Sequence, residues 1–229
     1  IALVTGASRG IGAAVSVRLA ELGAHVILVA RTQGGLEEVD DAIRATGGTA
    51  TLTPLDLTEF DKIDQLGAAL YERYKKLDIL VGNAGILGTL GPINHLDPKV
   101  WDQTIGINLT ANWRLIRSFD PLLRQSDAGR AVFVTSTAGQ ISRAYWSVYA
   151  VSKCGLEMLV KTYAHEVEKT SIKVNLFNPG GTRTNMRAEA FPGEDPMTLK
   201  TPDYISDQIA KMTLPSYTAN GATVTATNP

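Results

Sequence analysis

Short, nearly uninterrupted apolar runs alternate along the chain with longer stretches in which apolar side chains return every third or fourth residue. The first kind reads as strands buried on both faces, the second as helices with one packed side. Strand-like runs fall at 1–4, 25–30, 49–55, 78–81, 131–135 and 172–177, and 223–227 reads as a last strand at a sheet edge. Helical periodicity covers 11–22, 36–45, 63–74, 98–123 and 148–168. The segment 98–123 is interrupted near Asn108, and the last helix carries Leu156, Leu159, Val160 and Tyr163 on its packed side. This alternation predicts one α/β domain over 1–229, a doubly wound parallel sheet of about seven strands with helices on both faces. Residues 183–203, rich in Pro, Gly and charge, break the rhythm and read as a mobile flap over a site.

Candidate chemistry sits where the strands end. Thr5-Gly6-Ala7-Ser8-Arg9-Gly10-Ile11-Gly12 joins the first strand to the first helix, so its glycines can bring backbone close to a pyrophosphate at the helix N-terminus. A structural strand-to-helix turn would also explain them. The second strand ends Val29-Ala30-Arg31-Thr32, without the acidic residue that binds a ribose 2′-hydroxyl. Arg31, with Arg9 from the glycine turn, can instead pair with a 2′-phosphate, which favours NADP over NAD. After the third strand, Asp56-Leu57 offers either an acceptor for an adenine amino group or a cap. Asn83-Ala84-Gly85 ends the fourth strand at the edge where open α/β folds bind ligands.

Tyr149 and Lys153 are spaced i, i+4, roughly 6 Å apart along a helix axis, and an ammonium at that distance can lower a phenol's pKa. The spacing alone is weak, since Tyr71 and Lys75 repeat it within the charged helix Tyr71-Glu72-Arg73-Tyr74-Lys75-Lys76, read as a solvated face. Tyr149 differs in having Ser136 upstream at the end of the apolar strand Val132-Phe133-Val134, with Asn108 earlier still.

Composition narrows the function classes further. The formal net charge is −1 and charged residues are scattered, so no basic stripe marks a nucleic-acid partner. The single Cys154 excludes an intramolecular disulfide and is expected as a small buried residue on a helix. The three His, at 25, 95 and 165, have no chelating spacing, so no metal is expected. No stretch approaches the roughly 20 apolar residues of a membrane span and no secretory signal precedes the first motif, so a cytoplasmic location and no membrane partner are expected. The chain opens in an apolar run without an initiator Met, and further residues upstream are expected.

Taken jointly, the glycine turn, Asp56, Asn83-Ala84-Gly85, Asn108, Ser136, Tyr149, Lys153 and Asn178-Pro179-Gly180 follow the order and spacing of a known family. The chain resembles the single-domain short-chain dehydrogenases/reductases over nearly all its length, and within them a bacterial short-chain oxidoreductase subgroup. The resemblance implies a Rossmann fold and an NADP-dependent enzyme acting on a CH–OH group of a small carbonyl or alcohol substrate. It implies Tyr149 as general acid, Ser136 holding the substrate oxygen, Lys153 on the nicotinamide ribose and Asn108 holding a water in a proton relay. Cofactor contacts are implied for Gly6, Ser8, Arg9, Gly10, Ile11, Gly12, Arg31, Asp56, Leu57, Asn83, Ala84, Gly85, Tyr149, Lys153, Pro179, Gly180 and either Thr182 or Thr184. A homodimer or homotetramer is implied as well. The commoner Asn-Asn-Ala-Gly is Gly82-Asn83-Ala84-Gly85 here, which should affect packing more than chemistry. The rival expectation is an NADP-binding regulator or sensor that keeps fold and cofactor but performs no redox turnover.

Overall fold

Parallel strands covered on both faces have no solvent side to show, and the apolar runs of this chain assemble accordingly. The computed structural model describes residues 1–227. Its strands are Ala2–Thr5 (β1), His25–Ala30 (β2), Thr49–Pro54 (β3), Ile79–Gly82 (β4), Arg130–Val134 (β5), Lys173–Asn178 (β6) and Thr223–Thr225 (β7). They form one sheet in the order β3-β2-β1-β4-β5-β6-β7, every neighbouring pair parallel. Val4 lies opposite Leu28 on one side and Val81 on the other, with all three fully buried.

Eight helices accompany the sheet among the described residues: Gly10–Glu21 (α1), Gln33–Ala45 (α2), Phe60–Tyr74 (α3), Pro98–Ile105 (α4), Ala111–Leu123 (α5), Ser147–Glu166 (α6), Asn185–Ala190 (α7) and Pro202–Met212 (α8). Strand side chains alternate between two apolar cores. One joins Leu3, Ile27, Leu80 and Phe133 to Ile63 of α3, Phe119 of α5 and Leu156 of α6. The other joins Val4, Leu28, Val81 and Val132 to Val15 of α1, Ile43 of α2 and Ile209 of α8. Strand order reverses between β1 and β4, and their C-terminal ends open the crevice where such sheets bind ligands.

The structure adds detail to the sequence expectations and in places departs from them. Segment 183–203 contains short helical elements: Thr184 caps α7, a 3₁₀ turn spans Pro196–Thr198, and α8 starts at Pro202 after the Thr201 N-cap. Helix α8 was not anticipated; it buries Ile205 and Ile209 and packs on α1, with Arg18 Nε 2.8 Å from Asp207 Oδ1. Cys154 is exposed rather than buried, because it lies with Val151 and Met158 on the outward side of α6. The break near Asn108 is a π-helical turn, Gly106–Thr110, between α4 and α5. Strand β7 is shorter than the 223–227 run and takes the sheet edge. No described helix is long and apolar enough to cross a membrane.

Candidate active site

A cleft of about 510 Å³ opens along the C-terminal edge of the sheet. It gathers residues from the turns after β1, β2, β3, β4, β5 and β6, because in a parallel sheet all of those turns leave from the same side. Arg9, Arg31, Lys153, Arg183 and Arg187 line it, and no carboxylate among the described residues does. An excess of positive charge in a concave wall raises the local potential for an anion.

The glycine turn has two separate reasons for its composition. A Cβ on Gly12 would come within 2.2 Å of the Gly6 carbonyl oxygen, and one on Gly6 within 2.9 Å of the Asn83 amide, so these two glycines serve the packing of the turn against β4. Gly10, at φ +58°, turns the chain into α1 and faces Thr184. The first turn of α1 has no side-chain cap and no acidic residue, which leaves its N–H groups for an anion. Asn83 secures the turn from the other side. Its Nδ2 donates to Thr5 O at 2.9 Å, while the N–H groups of Asn83 and Ala84 donate to Thr5 Oγ1.

Ser8, Ile11 and Leu57 also line the cleft, as do Arg9 and Arg31, both exposed. Arg31 stands 3.9 Å from Asp56 Oδ2, too far to bind it tightly. Asp56 itself caps the next turn, with Oδ1 accepting from Thr58 N at 2.9 Å and Thr58 Oγ1 at 2.8 Å. Partial burial works against its charge, but the Thr58 hydrogen bonds and Arg31 outweigh it and hold the carboxyl below its usual range.

Under the middle of the cleft, Tyr149 and Lys153 share the inner face of α6, with Lys153 Nζ 5.8 Å from the centre of the Tyr149 ring. Both are buried, at 7% and 4% exposure. The expectation that Lys153 depresses the Tyr149 pKa needs correction: burial raises the phenol, and the opposing pull comes from a Ser136 hydrogen bond. The ammonium is turned to the Val134 carbonyl at 2.8 Å, and loss of hydration brings its own pKa down to about 8. The control pair stays outside, with Tyr71 exposed and Lys75 paired to Glu72.

Asn108 is fully buried, and its side chain is committed to the protein. Its Oδ1 accepts from Ile86 N at 2.9 Å, and Nδ2 donates to Ile86 O at 2.9 Å and Ser152 Oγ at 3.0 Å. Ser152 Oγ donates in turn to Tyr149 O at 2.7 Å, so a single network ties the π-turn, the segment after β4 and the Tyr149 turn of α6. A Cβ on Gly85 would lie 3.3 Å from Asn108 Oδ1 and 3.6 Å from Lys153 Nζ, so a side chain at this position would press on the Asn108 amide and approach the ammonium.

Sequence reasoning passed over several supports. Glu157, one turn beyond Lys153 and 6% exposed, accepts from Thr135 Oγ1 and Gln140 Nε2, both at 2.9 Å, and so holds the segment on either side of Ser136. An i, i+4 extension of the Tyr149–Lys153 face was the available signal. At the end of β6, Asn178 Oδ1 accepts from Gly180 N and its Nδ2 donates to Thr137 Oγ1, which fixes Pro179 and Gly180 against the Ser136 turn. Thr182 is buried, whereas Thr184 caps α7 beside Gly10, and both line the cleft. Trp146 and Phe191 complete the wall near Tyr149. No cluster of His, Cys, Asp and Glu among the described residues could hold a metal ion.

Comparison with known proteins places this geometry in context. A family model described as short chain dehydrogenase matches residues 1–195. The uncharacterized oxidoreductase YciK of Escherichia coli is 42% identical over 205 residues, 88% of this chain and 81% of its own. A protein of Shigella flexneri solved in complex with NADP superposes with a TM-score of 0.93 at 39% identity, covering 97% of this chain and 95% of that one. One from Escherichia coli solved with NADPH superposes at 0.91 and 39% identity, covering 97% and 94%.

Proposed function

The chain belongs to the short-chain dehydrogenase family of oxidoreductases, and from that premise we propose that it exchanges hydride between NADP(H) and a carbonyl or alcohol carbon, with Tyr149 as general acid and base. The observation that carries this reading is one continuous cleft joining Ser136, Tyr149 and Lys153 to Arg9 and Arg31. Arg31 follows β2 and Ser136 follows β5, three strand spacings or roughly 14 Å apart, a span suited to an extended dinucleotide. The uncapped α1 N-terminus suits the pyrophosphate, and Arg9 and Arg31 suit the 2′-phosphate. The NADP and NADPH complexes of two close structural relatives support the same cofactor.

The bound nicotinamide would supply the hydride donor or acceptor. This chain supplies everything around it. Ser136 donates to the substrate oxygen, Tyr149 gives that oxygen its proton as the carbonyl is reduced, and the reverse oxidation uses the same groups. Lys153, held by Val134 O, bonds the ribose and replenishes the Tyr149 proton. Asn108 would hold the relay water on the Gly85 side, where the absence of a side chain leaves the approach to Lys153 uncrowded. We read the whole chain as one dinucleotide-binding and catalytic domain, with 183–203 as the flap over the substrate end. Val151 and Met158, two turns apart on α6, are exposed at 45% and 68% and suit a face paired with a second copy.

The test is turnover of a carbonyl panel with NADPH by wild type and Tyr149→Phe. The variant is expected to lose about 10²- to 10⁴-fold in kcat while keeping NADPH affinity. NADPH binding without any turnover by wild type would favour the sensor reading instead.

A further inference from the structure

Five cations line the cleft, but they are not equally available. Arg187 of α7 is held on two sides. Its Nε and Nη2 donate to the two carboxylate oxygens of Glu194, each at 2.6 Å, and its guanidinium carbon lies 3.8 Å from the centre of the Phe191 ring. A bidentate pair of this kind leaves little charge for a third party, and the ring covers one guanidinium face. Phe191 continues the row: its ring is 5.6 Å from Trp146, and Trp146 is 5.9 Å from Tyr149 with the rings at 66°. Glu194, Arg187, Phe191 and Trp146 thus form an unbroken line of contacts from the flap surface to the proton donor. Arg183, the other cation of this segment, donates Nε to the Pro196 carbonyl at 2.8 Å. Leu87, Ile107, Met186 and Ala190 fill the remaining wall nearby with apolar surface.

We propose that the substrate accepted against this wall is an uncharged, predominantly apolar carbonyl compound, and that Glu194 enforces the preference by keeping Arg187 neutralised against Phe191. This rests on the oxidoreductase reading of the same cleft. Discrimination of this kind comes from withholding a partner from the wrong ligand as much as from contacts with the right one. An anionic carbonyl compound entering here finds a guanidinium already engaged; it must break the Glu194 pair or desolvate its charge against aromatic rings.

The test compares 4-methylbenzaldehyde with 4-carboxybenzaldehyde as substrates with NADPH. In parallel, 4-methylbenzyl alcohol and 4-carboxybenzyl alcohol are titrated into the enzyme–NADPH complex, with tryptophan fluorescence as the binding signal. Wild type is expected to favour the neutral member at least tenfold in both kcat/KM and affinity. Glu194→Gln, nearly isosteric, should narrow that ratio at least fivefold through a gain on the carboxylate compound. Arg187→Met should keep the neutral preference, and adding Glu194→Gln to it should then change nothing, which separates a freed charge from a disordered flap. Equal treatment of the pair by wild type, an anionic preference, a silent Glu194→Gln or failure of the neutral alcohol to bind overturns the proposal. Neutral-selective binding with no aldehyde turnover overturns the redox reading and leaves the specificity wall standing.

Discussion

Lys153 is buried with the Val134 carbonyl as its hydrogen-bond partner, and its pKa falls from the ordinary 10.5 to about 8. The folded protein therefore binds fewer protons than the unfolded chain between those values, so this group's contribution to stability rises with pH from about 8 toward 10 and its full penalty is felt below 8. The shift corresponds to about 3 kcal/mol. Replacing the ammonium by an apolar isostere removes that cost and loses one hydrogen bond. Lys153→Met is expected to be inactive yet more stable by about 1–3 kcal/mol at pH 7, with the gain shrinking by pH 10, in urea melts at both values. Since burial keeps Tyr149 protonated past its ordinary range, a fall in kcat/KM for carbonyl reduction of one log unit per pH unit above about 8 would report Lys153. A plateau running to pH 10 would remove Lys153 from the relay. At the other end of the cleft, Arg31→Ala should weaken NADPH binding about ten- to a hundredfold and leave NADH unchanged, by fluorescence titration. Glu157→Ala strands the buried Thr135 hydroxyl and releases the exposed Gln140 side chain, and a loss of about 1–2 kcal/mol with a fall in kcat larger than any rise in the NADPH dissociation constant is expected.

The π-turn Gly106–Thr110 interrupts what would otherwise be one helix, and the interruption aims Asn108 at Ile86 and Ser152. Asn108→Ala would leave the part-buried Ile86 N–H and carbonyl without their protein partners, at a cost of about 1–3 kcal/mol, and would loosen the Tyr149 turn through Ser152. Accelerated amide exchange at Ile86 and across the Tyr149 turn, beyond that of distant strands, is the expected signature. This break was legible in the sequence because small and polar residues interrupt an apolar period there. The strands were legible for a similar reason: burial on both faces demands uninterrupted apolar runs, and His25–Ala30 matched to the residue. Helix α8 was hidden by its approach, since the charged and Pro-rich residues before it mask the period that Ile205 and Ile209 begin. The exposure of Cys154 depends on which side of α6 meets the sheet, and residue type does not fix that. The Trp146–Phe191 contact joins two loops distant in sequence, and no local pattern encodes it.

At the scale of the whole molecule, the cleft is assembled from turns that span the chain from Gly6 to Pro202. A ligand that binds only when all of them are in place stabilises the entire fold. NADP at about a hundred times its dissociation constant should add about 2.7 kcal/mol, which for a chain of this size is roughly 5–10 °C in Tm, and NAD at the same concentration should add less. Equal shifts from the two nucleotides would contradict the assignment of Arg9 and Arg31. The sheet order has a consequence of another kind. Strand β1 comes first among the described strands but lies between β2 and β4, so the ribosome releases it long before its second neighbour exists. At ordinary synthesis rates the interval between Thr5 and Gly82 is on the order of ten seconds. Through that interval one edge of an apolar strand stays open, so the nascent chain carries a defined stretch that is exposed to wrong pairing until Gly82 has been made.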